Sequence, residues 1–212
     1  PEVCFAYSVD GLAKLSQILH NAIVSNLIRS CWKDRVRPVL VNNWEATYFD
    51  FNKENLVAIA KEAAALNLDM LVLDDGWFGK REDDRSGLGD WFVNEEKLGG
   101  TLAELVKEVH AMGLSFGLWF EPEMISEDSD LYREHPDWAL VVPGRQPIRS
   151  RSQLVLDMSR EDVTDYLTER ICDIVEKADI QYIKWDMNRS LMAAYSAKLP
   201  HDRQGELRHR YV

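Results

Sequence analysis

The chain has 212 residues, a formal net charge of −11 and a hydrophobic fraction of 46%. That length holds one domain or part of a larger one, and the apolar fraction argues for a packed core and against wholesale disorder. The acidic balance argues against nucleic acid and anionic membranes as partners and fits an enzyme acting on a neutral ligand.

Leu12, Leu15, Ile18, Leu19, Ala22, Ile23 and Leu27 recur at helical spacing and predict an amphipathic helix ending near Arg29. Arg35, Arg37 and Pro38 close that segment. From Pro38 onward short β-branched runs alternate with helical patterns. Residues 39–41 read as a strand, and Asn52 precedes a helix whose apolar positions are Leu56, Ile59, Ala60, Ala63 and Leu66. Residues 70–73 form a second strand ending on Asp74-Asp75-Gly76-Trp77, followed by a polar loop from about Gly79 to Gly100. Thr101 caps a helix carrying Leu102, Leu105, Val106 and Val109, which Gly113 ends. Residues 114–119 are a third strand, ending on Glu121-Pro122-Glu123. A long excursion over about 122–158 holds apolar runs at 139–142 and 154–156. Ser159 and Asp162 have the spacing of a capping box ahead of a helix with Val163, Leu167, Ile171, Ile174 and Val175. Residues 182–185 are a fourth strand, ending on Asp186.

Alternating strands and helices with long crossovers mean an α/β fold. Polar residues collect where the strands stop, which in a (β/α)8 TIM barrel is the active-site face. No Gly-rich dinucleotide fingerprint follows a strand, so the barrel is preferred to a doubly wound sheet. Four strands are about half of the eight a barrel needs, so the expectation is the first four β/α units of one. Three scattered cysteines, Cys4, Cys31 and Cys172, lack metal-ligand spacing and fit reduced thiols in a cytosolic protein. No stretch of about 18 apolar residues and no leader-like run occurs.

Strand alternation puts Lys184 and Asp186 on one face, with Asn188 extending the line. A cation beside a carboxylate keeps it ionised, which a glycosidic nucleophile requires; an ordinary strand-end salt bridge explains the spacing equally well. Asp74 and Asp75 repel unless sugar hydroxyls, a divalent cation or nearby amides occupy their lone pairs. Trp44, Trp77, Trp119 and Trp185 lie near strand ends, where aromatic faces stack on pyranose rings, although packing explains any single one. Arg149 and Arg151 precede the 154–156 run and offer guanidinium forks; Glu121 and Glu123 are placed to orient neighbouring groups. A metal-dependent barrel enzyme, with Asp74, Glu121 and Asp186 holding Mg²⁺, is an alternative.

In order along the chain, Val41-Asn42-Asn43-Trp44-Glu45-Ala46, Leu73-Asp74-Asp75-Gly76-Trp77-Phe78, Gly117-Leu118-Trp119-Phe120-Glu121-Pro122-Glu123, Gln153-Leu154-Val155-Leu156-Asp157 and Lys184-Trp185-Asp186-Met187-Asn188-Arg189 resemble the bacterial α-galactosidases of glycoside hydrolase family 36. The resemblance implies a retaining exo-α-galactosidase acting on melibiose, raffinose and related oligosaccharides. It implies Asp186 as nucleophile, with Trp44, Asp74, Asp75, Trp119, Arg151, Lys184 and Asn188 binding the sugar, and neither metal nor organic cofactor. It further implies a cytoplasmic bacterial enzyme, often tetrameric, whose helical lead-in is residues 1–37 and whose half-barrel is residues 38–212. The family's acid/base Asp lies on a later strand than the four present, so this chain alone is expected not to turn over substrate. Galactosyl transfer of the raffinose-synthase type and a non-catalytic sugar-binding module are the remaining alternatives.

Overall fold

The computed structural model of the chain describes residues 3–192 and 194–211. It divides into two compact units, Pro1–Pro38 and Val39–Val212.

In the first unit, α1 spans Gly11–Asn26 and buries none of its residues. The Leu27 N–H closes it on the Ile23 carbonyl, so the helix stops three residues short of the expected Arg29. A 3-10 turn follows at Ser30–Lys33. Cys4 and Cys172 are exposed free thiols, and the expectation for Cys31 falls on a side chain outside the described residues.

The second unit is a four-stranded parallel sheet whose spatial order is its chain order. Its strands are β1 (Leu40–Asn42), β2 (Met70–Leu73), β3 (Ser115–Phe120) and, after the small pair β4 (Met124–Ile125) and β5 (Leu154–Val155), β6 (Tyr182–Trp185). The crossovers carry α2 (Trp44–Thr47) and α3 (Lys53–Ala65), α4 (Glu95–Leu98) and α5 (Leu102–Ala111), and α6 (Asp130–Glu134) and α7 (Glu161–Ala178); α8 (Leu207–Arg210) comes last. This is an α/β fold with a parallel sheet. No described helix is long and apolar enough to cross a membrane.

The long helices form where capping and apolar periodicity coincide. Asn52 caps α3 by accepting the Asn55 N–H. Thr101 and Glu104 make a reciprocal capping box on α5. Leu56, Ala60 and Ala63 of α3, Leu102, Leu105, Val106 and Val109 of α5, and Val163, Leu167, Ile171 and Ile174 of α7 are buried. They pack in one core with Leu71, Leu73, Phe116, Leu118 and Phe120 of the sheet. Each fully buried Val, Leu or Ile side chain contributes about 1.5–3 kcal/mol.

Two local expectations are corrected. Ser159 does not cap α7: its hydroxyl donates to Asp157 Oδ1, and Asp162 is taken by Arg160, which stands at the cap position without a side-chain cap bond. Leu66 does not join the apolar face of α3; it caps the helix and is 71% exposed. The loop over 79–100 also holds a helix, α4, started by the Asn94 side chain accepting the Lys97 N–H.

The register sets the rest. Val72 lies beside Gly117 and Gly117 beside Tyr182; Trp119 lies beside Lys184. Side chains alternate along a strand, so Val72, Gly117, Trp119, Tyr182 and Lys184 share the face opposite the helix-packed core. Gly117 is needed there, because a Cβ would sit 2.7 Å from Tyr182 Cδ1 and 3.0 Å from Val72 Cγ2.

Candidate active site

Continuing the alternation past each strand end brings Asp74, Glu121 and Asp186 onto that face with Trp119 and Lys184. Asp186 begins where β6 ends, and its N–H still bonds to the Phe120 carbonyl at 2.8 Å, which fixes its carboxylate against the end of β3. Oδ2 accepts Trp119 Nε1 at 3.0 Å and Asn188 Nδ2 at 2.8 Å; Oδ1 accepts the Met187 N–H at 2.9 Å. A carboxylate oxygen has two lone pairs. Oδ2 is therefore saturated, whereas Oδ1 keeps one lone pair on a half-buried group. Burial pushes the Asp186 carboxyl up, but the Trp119, Asn188 and Met187 hydrogen bonds and the Lys184 charge outweigh it, so its pKa lies below the usual carboxylate value.

Lys184 does not make its close contact with Asp186, as strand adjacency suggested. Its Nζ pairs with Asp74 Oδ2 at 2.6 Å, reaching across β3 to the end of β2. Asn42 Nδ2 donates to the same oxygen, and Asn42 Oδ1 accepts the Trp44 N–H at 2.8 Å. Asn42 thus links Trp44, at the start of α2, to Asp74. The half-buried Trp44 ring stands edge-on to Tyr48 and Phe49, with centroids 5.3 and 5.0 Å away. Fully buried Asn43 accepts the Asp74 N–H at 2.7 Å.

Asp75 turns to Arg81. Nε meets Oδ1 at 2.9 Å and Nη2 meets Oδ2 at 2.7 Å, a bidentate pair with side-chain exposures of 2% for Arg81 and 8% for Asp75. Burial raises the Asp75 pKa, and Asp74 adds to the rise, against the opposing pull of Arg81 and the Gly76 N–H. The repulsion foreseen between the two acids is relieved by two different cations.

Arg151 Nη1 donates to Asn188 Oδ1 at 2.9 Å. Arg149 instead forms an exposed ion pair with Glu127. Glu121, 2% exposed, accepts the Asn188 N–H at 2.6 Å and Gln153 Nε2 at 3.2 Å through Oε1. Burial and the Asp186 charge raise its pKa against those hydrogen bonds. Glu123 accepts Trp185 Nε1 at 3.0 Å and the Tyr211 hydroxyl at 2.7 Å.

The four tryptophans do not gather at one surface. Trp77 is 1% exposed, packs among Phe78, Trp91 and Phe120, and donates Nε1 to the Trp119 carbonyl. Trp185, 53% exposed, alternates onto the sheet face opposite Asp186. Trp119 is 2% exposed, its ring stacked on Phe78 at 6.1 Å and its N–H spent on Asp186. Among the described residues, no group of three or more His, Cys, Asp or Glu is arranged to hold a metal ion, so Asp74, Glu121 and Asp186 do not form the suggested Mg²⁺ set. Asn42, Arg81 and Gln153 were not singled out by spacing. Asn42 carries a signal only in hindsight of register, because it sits at the end of β1 on the face that Asp74 extends.

The melibiase family model matches residues 1–212. The chain is 56% identical over 202 residues to the bifunctional α-galactosidase/sucrose kinase AgaSK of Mediterraneibacter gnavus, covering 95% of this chain and 22% of that protein. It is 54% identical over 212 residues to the α-galactosidase AgaA of Geobacillus stearothermophilus, covering 100% of this chain and 29% of that protein. The crystal structure of AgaA, a family 36 α-galactosidase, superposes with a TM-score of 0.90 at 55% identity over 93% of this chain and 27% of its own. A substituted form of AgaA has been crystallised with raffinose and matches with the same TM-score, 0.90, over 93% of this chain and 27% of its own at 54% identity. The chain thus spans less than a third of the length of these relatives.

Proposed function

The chain belongs to the melibiase family, among the α-galactosidases of glycoside hydrolase family 36, and on that premise we propose that it supplies the nucleophile-bearing part of a retaining α-galactosidase centre. The observation that carries this reading is the Asp186 carboxylate: ionised, oriented by three hydrogen bonds, and left with one open lone pair on Oδ1.

In the proposed reaction Asp186 Oδ1 attacks the anomeric carbon of a terminal α-galactosyl residue. The C–O bond to the leaving sugar breaks as a general acid protonates its oxygen, and a β-galactosyl-enzyme forms. Water deprotonated by the same group then attacks, releasing α-galactose and returning Asp186 to its carboxylate. The acid/base is assigned to an Asp outside this chain, held about 5–5.5 Å from the nucleophile as a retaining mechanism requires. Asp74 and Asp75, with Lys184 and Asn188, bind the galactose hydroxyls; Trp44, Trp119 and Arg151 complete the pocket. The assignment of the sheet to the first four β/α units of a (β/α)8 barrel, over residues 38–212 after a helical lead-in at 1–37, belongs to the same proposal. So does the reading of the full-length protein as a cytoplasmic bacterial homotetramer that acts on raffinose- and melibiose-type oligosaccharides, needs no cofactor and binds neither nucleic acid nor membrane. AgaA bound to raffinose and to stachyose supports the substrate class.

The test is release of nitrophenol from 4-nitrophenyl α-galactoside by the full-length protein and by its Asp186→Asn variant. Loss of about 10³-fold or more in kcat is expected. A near-normal rate in the variant removes Asp186 from the role. The 212-residue chain alone is expected to be inactive.

A further inference from the structure

Glu121 is a buried carboxylate that the proposed chemistry leaves unused. It lies one residue beyond β3 on the face that carries Asp186, and it is 2% exposed. Its Oε1 receives two donors from two different parts of the chain: the backbone N–H of Asn188 at 2.6 Å and the side-chain amide of Gln153 at 3.2 Å. Gln153 closes a tight turn by bridging to Ser150, and its carbonyl accepts Arg189 Nη1. Inside that turn Arg151 and Ser152 both adopt left-handed backbone, with φ of 53° and 58°. Residues with a Cβ hold such conformations only where surrounding contacts over-determine them. Beside the turn's own Ser150–Gln153 bridge, the contacts that hold it include Arg151 on Asn188 Oδ1 and Gln153 on Glu121.

An acid at this position is expensive for the fold. It is desolvated and faces a second carboxylate, and a well-packed apolar residue would serve stability better. What an apolar residue lacks is an acceptor for the Asn188 N–H. That N–H belongs to the residue whose side chain donates to Asp186 Oδ2, and it follows directly on the Met187 N–H that donates to Oδ1.

We propose that Glu121 is a positioning residue for the nucleophile. By accepting the Asn188 N–H it fixes the Met187–Asn188 backbone, so that both donors meet Asp186 and Oδ1 keeps its open lone pair toward the sugar. The requirement is for an acceptor oxygen at Oε1 rather than for a charge. The role rests on the α-galactosidase reading.

The experiment compares wild type, Glu121→Ala and Glu121→Gln in the full-length protein. It measures kcat and KM on 4-nitrophenyl α-galactoside and, by calorimetry, the stoichiometry and affinity of 1-deoxygalactonojirimycin, which binds a relative. Glu121→Ala is expected to lower kcat about 100-fold, the scale of a misplaced reacting group. KM and inhibitor affinity should change less than about threefold, as expected when the loss falls on the transition state. Glu121→Gln, which retains an acceptor oxygen, should recover to within about tenfold of wild type. The proposal is overturned if Glu121→Ala keeps kcat within about threefold. It is also overturned if Glu121→Gln is as impaired as Glu121→Ala, or if the binding stoichiometry falls in proportion to activity, since a folding defect alone would do that. An inactive, non-binding wild type sinks the α-galactosidase reading itself and the role of Glu121 with it, a result distinct from any variant-specific outcome.

Discussion

Arg151 Nη1 and Asn188 Oδ1 meet at 2.9 Å, and this contact decides which end of the Asn188 amide faces Asp186. A guanidinium offers donors only, so it donates to the amide oxygen and cannot pair with the amide nitrogen. With Oδ1 held by Arg151, Nδ2 is left to donate to Asp186.

Arg151→Met should therefore free the amide to flip without touching the carboxylate. The expected result is a fall in kcat of about tenfold, since one charge-assisted orienting bond is lost. Steady-state kinetics of the full-length protein checks this. If only KM changes, Arg151 serves the pocket alone and does not act through Asn188.

The pKa of Asp186 fixes a pH dependence. Burial raises it, the Trp119, Asn188 and Met187 donors and Lys184 lower it, and the net shift is downward. The group stays ionised until pH falls through that depressed value, below the ordinary carboxylate pKa of about 4. The acid limb of kcat/KM should lie there. Its contribution to stability has the same sign: present above the unfolded-state pKa and lost as pH falls through the folded one. Trp119→Phe removes one donor and should move the limb upward. An unmoved limb means Trp119 does not tune Asp186.

Asp75 and Arg81 form a buried pair in which neither partner can be spared alone. Arg81→Met leaves a desolvated acid and should cost about 3–5 kcal/mol. Adding Asp75→Asn should recover part of that loss. Thermal unfolding of both variants reads the effect, and a single-variant change below about 1 kcal/mol contradicts the burial argument.

Gly117→Ala introduces a Cβ 2.7 Å from Tyr182 Cδ1 and 3.0 Å from Val72 Cγ2. Overpacking of this kind costs about 1–3 kcal/mol. Tyr182→Ala in the same chain should recover part of it, measured by denaturant unfolding. If it recovers nothing, the clash lies elsewhere than the Tyr182 ring.

Periodicity reads short-range order well and partner choice badly. The apolar positions of α5 and α7 follow from spacing, because burial on one side enforces it, and the strand over 70–73, buried throughout, shows as a continuous apolar run. The short helices Trp44–Thr47, Glu95–Leu98 and Asp130–Glu134 are one turn long and have too little sequence to show a period. Strand adjacency pairs Lys184 with Asp186; its partner is Asp74, 110 residues earlier, which only the sheet order brings near. Ser159 had capping-box spacing and lost its hydroxyl to Asp157. Arg81 stood in a loop of mixed charge, where nothing marked it from Lys80 or Arg85. Pairing depends on three-dimensional neighbours, and spacing carries none of that information.

Because spatial order equals chain order, the strand that ends on Asp186 has a single neighbour in the four-stranded sheet, β3. The Trp119 indole stands on the neighbouring strand β3, packed against Phe78 and Trp91, neither of which belongs to that last strand. The donor that meets the Asp186 carboxylate is therefore anchored by contacts independent of the strand that carries the acid, so the cost of drawing that acid out of water is offset by a partner fixed from elsewhere in the fold.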